Sequence, residues 1–261
     1  MSGVVEQSVV EYVLSSSVRS DVLLAIESGT TDSDALIEVT DASESAVYNA
    51  FGALERRGVV RSTADGWQLT GSGQFVADAI RQNREACALL DDDYWQTHDI
   101  GELPRRFRLR LGDLAGAEVI RADDTEPFRI VDEVAGRIRS GRRVEVVSPI
   151  YQAEFAESMP DSTDARLIVH DRVIERAIGD ETGEIELRRY EETGSRIMPV
   201  DLALGVTEDS LMLSLPTLDG RYDSRAEVLA ESDRAIQWGR DLFEHYWERA
   251  TPESEFFADR L

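Results

Sequence analysis

The periodicity of apolar positions is clearest between residues 43 and 69. Val47, Ala50, Phe51 and Leu54 recur at i, i+3, i+4 and i+7. This spacing predicts one buried stripe on a helix and leaves Ser45, Tyr48, Asn49 and Gly52 on the opposite face. Ser43 stands where an N-cap belongs, and Arg56 and Arg57 precede Gly58, the usual order of cations and glycine at a helix end. Residues 59–61, a turn at Asp65-Gly66 and a return through Trp67, Gln68 and Leu69 predict a tight hairpin. Upstream, Val22, Leu23 and Ile26 predict a first helix and residues 33–39 a short second one. Three helices and a hairpin make a winged helix-turn-helix over residues 1–69, in which the third helix enters the DNA major groove.

Residues 4–17 predict a further helix ahead of that domain, available to a partner subunit. After the hairpin, Thr70 and Ser72 are able to cap a long helix carrying Phe75, Val76, Ala79, Ile80, Ala86 and Leu90. It is read as a dimerisation helix, because major-groove readers generally pair half-sites; a linker helix packed within one subunit is the other reading. Cys87 on it reads as core. Residues 91–99 are polar apart from Tyr94 and Trp95, and the boundary is expected there. In 103–114 the spacing of Leu103, Phe107, Leu111 and Leu114 favours helix over strand.

Beyond it the chain alternates: strand at 118–121, helix at 128–139, strand at 143–148, short helix at 152–158, strand at 166–170, helix at 172–178. Strands at 185–190, 200–206, 211–215 and 226–230 follow, then an aromatic-rich helix at 233–249 and a loose tail from 252. The expected class is α+β: an N-terminal winged helix-turn-helix (1–69), a long connecting helix and linker (70–98) and a C-terminal α/β sheet domain (99–261). At 261 residues the chain is long enough for two cores.

Charge sharpens this picture. The net charge is −24, from 52 acidic against 28 basic residues, and every basic residue is arginine. Acidic excess without lysine resembles proteins of salt-loving archaea, where molar salt screens self-repulsion. The acidity relents where DNA would lie: residues 1–42 carry one arginine, Arg19, among eight carboxylates, whereas 43–63 set Arg56, Arg57 and Arg61 against Glu44 and Glu55. In molar salt little affinity comes from counterion release, so base-edge contacts and bridging water carry more of it. One cysteine excludes an internal disulfide and a cysteine zinc cluster. His98, His170 and His245 lack ligand spacing, so neither metal nor cofactor is expected. The N-terminus has no export signal and no apolar run nears 18 residues, so a cytoplasmic location without a membrane span is expected.

The segments ALERRGVV and GWQLTGSG, followed by GAEVIRA, RRVEVVSPIY, RLIVHDRVIE and the terminal WGRDLFEHYW, resemble haloarchaeal winged-helix regulators. These stand with the TrmB-like group, regulators resembling the methanogenesis regulatory protein, and the TbsP type. The resemblance implies that the second domain is a degenerate phospholipase D-like sheet that senses an effector or dimerises. The enzyme's motif needs a lysine two positions after a histidine, and this chain has no lysine; His170 is followed by Asp171 and Arg172.

The expected DNA contacts are Ser43 as cap, Ser45, Tyr48, Asn49 and Gly52 toward the groove, and Arg56, Arg57, Arg61 and Thr63 on the backbone. An effector would sit at the strand ends, near Ser148, Tyr151, His170, Arg188 and Arg189. The partners expected are double-stranded promoter DNA, a second copy of the chain and a small-molecule effector. An enzyme on the C-terminal sheet with the winged helix as docking module is the alternative; no Gly-x-Ser-x-Gly elbow supports a nucleophile.

Overall fold

A computed structural model describes residues 7–150, 158, 165–177 and 195–258. The chain divides into two compact units, residues 1–84 and 85–261.

Among the described residues, the first unit holds α1 (Val9–Leu14), α2 (Ser17–Glu27), α3 (Ser33–Val39), α4 (Glu44–Arg56), the hairpin β1 (Val60–Thr63) and β2 (Gly66–Leu69), and most of a fifth helix. Of the helix expected over 4–17, residues 4–6 lie outside the described residues, and the rest is divided. Ser8 opens α1 with a capping box to Glu11, and Ser16 caps α2 anew, so two serine caps break what apolar spacing alone would join. Val13 of α1 is buried with Val22, Leu23, Leu36, Val47, Phe51, Leu54, Val76 and Ile80 in the unit's own core. Helix α5 (Gly71–Leu90) is capped by Thr70, whose Oγ1 accepts from Gly73 N at 3.0 Å and donates to Gly58 O at 2.6 Å. Cys87 is exposed rather than core, and so are Phe75 and Leu90.

Among the described residues, the second unit is built on one eight-stranded sheet, β3 (Glu118–Arg121), β4 (Val144–Ser148), β5 (Ala165–Val169), β6 (Ser195–Ile197), β7 (Ala203–Val206), β8 (Leu211–Ser214), β9 (Ala226–Ala230) and β10 (Thr251–Pro252), in the order β10-β6-β5-β4-β7-β8-β9-β3. Strands β4, β5 and β6 run parallel; the other pairings are antiparallel. Alternation along the strands gives each face its own core. Ile120, Val144, Met212 and Leu229 meet Ile130, Val134 and Ile138 of α8 (Arg129–Ser140) on one face. Val147, Ile168, Leu204, Leu213 and Val228 meet Trp238, Leu242, Phe243 and Tyr246 of α10 (Asp233–Trp247) on the other. Gly239 makes that contact close: a Cβ there would stand 2.5 Å from Leu211 Cδ1 and 3.0 Å from Val206 Cγ2.

Several expectations about this unit need correction. Tyr94 and Trp95, in the stretch read as a polar boundary, are 1% and 8% exposed and belong to the main core. Leu103, Phe107, Leu111 and Leu114 are all buried as their spacing predicts, yet Leu103 follows a 3-10 turn (Ile100–Glu102), Phe107 stands on a short α-helix (Arg105–Arg108) and Leu111 and Leu114 on a second 3-10 turn (Leu111–Leu114), rather than on one helix. The tail is not loose as far as residue 258: Thr251 and Pro252 pair with Ile197 and Arg196, and a helix (Glu253–Ala258) follows. The helix expected at 152–158, save Ser158, and the strand at 185–190 lie outside the described residues.

Candidate nucleic-acid interface

Helix α4 is fixed at both ends by its own sequence. Ser43 Oγ accepts from Ala46 N at 3.4 Å, and Gly58 takes φ +69° just past the C-cap Arg57. Val47, Ala50, Phe51, Ala53 and Leu54 are buried, which leaves Ser45, Tyr48 and Asn49 exposed on the other face. Tyr48 is 47% exposed, with its ring edge-on to Phe51. Gly52 lies beneath Arg56, whose Nη1 would be 3.3 Å from an added Cβ. The structure therefore brings Ser45, Tyr48, Asn49, Gly52 and Arg56 onto one solvent-facing strip, with Ser43 at its head.

The hairpin is held against this helix. Thr63 pairs with Gly66 across a two-residue loop, Ala64-Asp65. Gly66 has φ +103°, and a Cβ there would come within 2.3 Å of Thr31 O, so the wing sits directly on the backbone leading into α3. Trp67 N donates to Thr31 O at 2.9 Å, and Trp67 Nε1 to Ser33 Oγ at 3.2 Å. The Thr63 hydroxyl is committed to the turn itself, donating to Gly66 O at 2.8 Å and accepting from Asp65 N. Arg61 reaches across to Gln68 Oε1 at 3.1 Å. The wing tip carries Asp65 and the adjacent start of α3 carries Asp32 and Asp34, so the cations lie away from the tip.

Arg57 is placed differently from the rest. Its guanidinium rests 4.0 Å from the ring centre of Tyr12 in α1, and its Nη1 donates to Gln7 O. Spacing could not reveal a partner 45 positions upstream.

In the second unit, the expected effector residues Ser148 and His170 are brought together at the ends of the parallel strands β4 and β5. His170 N donates to Ser148 O at 3.1 Å, while Ser148 Oγ donates to Ile150 O at 2.6 Å. The His170 ring is buried, and its Nδ1 accepts from Arg172 N at 3.0 Å. Serine and histidine meet here through backbone alone, which is not a nucleophile-base arrangement. Tyr151, Arg188 and Arg189 lie outside the described residues.

Sequence reasoning passed over a second cluster. A cavity of about 330 Å³ is lined by Tyr94, His98, Arg121, Asp223 and Arg225 among others. His98 is buried, stacked 3.7 Å from the Tyr94 ring, with Nδ1 donating to Tyr94 O at 2.8 Å and Nε2 3.2 Å from Asp223 Oδ2. Both ring nitrogens thus face oxygen atoms. Nearby Glu227 is fully enclosed, and burial, aided by the charge of Asp223, pushes its carboxyl up to about 8. The only hint in sequence was an aromatic pair, Tyr94-Trp95, within an acidic run. Among the described residues no group of three or more His, Cys, Asp or Glu is arranged to hold a metal ion, and no helix is long and apolar enough to cross a membrane.

Comparison with known proteins falls along the same division. Residues 127–249 match the family described as the middle domain of the methanogenesis regulatory protein FilR1, and residues 7–90 match the HVO_A0261 N-terminal domain. The chain resembles a methanogenesis regulatory protein. FilR1 of Methanothrix harundinacea (strain 6Ac) is 23% identical over 257 residues, covering 92% of this chain. The chain spans 57% of that relative's length. Among solved structures, TrmBL2, an archaeal chromatin protein with a novel mode of DNA binding, aligns over 90% of this chain and 93% of its own at 12% identity and a TM-score of 0.37. HmgR of Pseudomonas aeruginosa aligns over 87% and 96% at 14% identity and a TM-score of 0.25. Superpositions this slight carry no argument.

Proposed function

We propose that this chain is a sequence-specific DNA-binding regulator of transcription. The observation that carries the reading is the strip of Ser45, Tyr48, Asn49 and Arg56 on a helix capped at both ends and braced by a pinned hairpin. Asn49 is placed to read adenine through its amide, and Ser45 and Tyr48 to reach bases or phosphates. The resemblance of both parts of the chain to a regulatory protein supports the same reading.

The regulator acts as a homodimer in the archaeal cytoplasm at high salt, as the lysine-free acidic composition implies, and has no enzymatic activity of its own. Its second domain, a sheet of phospholipase D-like descent, biases the paired DNA-binding units on taking up a small metabolite. That is allostery only if the metabolite binds the two states unequally.

Genome-wide crosslinking of the tagged protein in its host, wild type against Asn49→Ala combined with Arg56→Ala, is the test. Discrete promoter peaks that vanish in the variant are expected. A wild-type profile indistinguishable from untagged background would overturn the proposal.

A further inference from the structure

In the first unit the arginines divide into two kinds. Arg81 pairs with Glu27 and Arg84 with Asp21, as expected in a chain with so many carboxylates. Arg19, Arg56, Arg57 and Arg61 have no carboxylate within 4.0 Å among the described residues. Two of these four are deliberately close. The guanidinium carbons of Arg19 and Arg57 both lie 4.0 Å from the ring centre of Tyr12, so they are within about 8 Å of one another.

Their fixed contacts leave donors over. Arg19 uses Nε on Tyr12 O at 3.0 Å and Nη2 on Ser15 Oγ at 2.9 Å; Arg57 uses Nη1 on Gln7 O at 3.3 Å. A guanidinium has five N–H donors, and each anchor here is a neutral oxygen, so among the described residues neither charge is cancelled. Glu11, the carboxylate next to Tyr12 in sequence, is held in the Ser8 cap, where the hydrogen bonds keep its carboxyl below the usual range. Two like charges on one ring repel, and the aromatic face offsets only part of that. Among the described residues, a protein with nearly twice as many acids as bases leaves this pair unneutralised, and Arg57 is next in sequence to Arg56 on the strip of α4.

We propose that Arg19 and Arg57, aligned on Tyr12, form a clamp for a backbone phosphate of the bound duplex. The inference rests on the DNA-binding reading and deepens it: the clamp contributes register and affinity without sequence preference, while the α4 strip supplies the readout. Arg19 would then be the one cation of residues 1–42 because it is the one that meets phosphate.

The test uses the full chain and a promoter duplex recovered by crosslinking, with anisotropy titrations across a KCl series. Arg19→Gln and Arg57→Gln are each expected to weaken binding about fivefold and to lower the salt slope by about 1, equally for the promoter and a scrambled duplex. Tyr12→Leu keeps both charges and removes their platform; it is expected to weaken binding while the slope stays near wild type. Thermal melts of each variant report whether the unit still folds, and Arg19→Lys, which keeps charge but not the planar fork, is expected to recover the slope but only part of the affinity. If wild type binds duplex and Arg19→Gln binds it equally with the same slope, the clamp is overturned and the regulator reading stands. Phosphorus NMR with inorganic phosphate covers the other source: broadening that needs Arg19, with duplex binding unchanged by its loss, marks a free-anion site and also overturns the clamp. A wild type that binds no duplex overturns both.

Discussion

Trp67 of the wing lies flat on Phe51 of helix α4, the ring centres 4.6 Å apart and the planes 18° apart. The hairpin thus has an attachment to helix α4 as well as the two hydrogen bonds to Thr31 and Ser33. Trp67→Ala should destabilise the first unit by about 2–3 kcal/mol, somewhat below the range for a fully buried tryptophan because this ring is only half-buried. Trp67→Phe keeps the stack and loses the Ser33 bond, for about 1 kcal/mol. Urea unfolding of both variants checks the order; equal losses would mean that the stack contributes nothing.

Glu227 should make the second unit's stability depend on pH in an uncommon direction. Its folded carboxyl titrates at about 8, against 4.5 when unfolded, because of burial first and the charge of Asp223 second. Between those values the folded chain binds the extra proton, so stability falls as pH rises from about 4.5 and levels off above about 8. The slope is at most about 1.4 kcal/mol per pH unit. Glu227→Gln mimics the protonated form and should match wild type near pH 4.5 while exceeding it at pH 9. Parallel stability curves from pH 5 to 9 would refute this.

Arg166 holds a buried charge in place. It bonds both Glu145, which is 1% exposed, and Glu244, and lies against the rings of Phe243 and Trp247. One oxygen of Glu145 has no hydrogen-bond partner among the described residues, so the carboxylate depends on its arginines. Arg166→Met should cost about 3 kcal/mol, and Glu145→Leu added to it should restore much of the loss, since an apolar pair replaces a stranded charge. A double variant no more stable than Arg166→Met would count against that account.

Gly239→Ala should cost about 1–3 kcal/mol, because the new methyl group meets Leu211 and Val206 where helix α10 touches the sheet. Gly136→Ala, on the exposed side of α8 with nothing within 4 Å, should instead be neutral or stabilising by up to about 1 kcal/mol. Thermal melts of the two variants give the comparison directly.

The parts of the fold that could be read ahead were those specified by neighbours in sequence. Ser43 and Gly58 bracket α4 because caps act over three or four residues, and strand 118–121 stands as its alternation predicts. The parts that escaped depend on distant partners. Ser195–Ile197 is three residues long and becomes a strand only beside Leu167 to Val169. Tyr94 and Trp95 read as linker because their neighbours are acidic, yet their rings are covered by a sheet more than a hundred residues on. The exposed strip of α4 was legible from a helical period; Arg57 resting on Tyr12 was not, since no local pattern encodes it.

Among the described residues, the two of β10 lie outermost on one side of the large sheet, and one of them is Pro252, which has no N–H to offer. A chain from another molecule approaching that margin finds a strand too short and too poor in donors to copy. Shortened to residue 250, the protein would lay bare Ser195–Ile197, with unpaired backbone along a parallel rim, and fibre-like association would become a hazard of handling it.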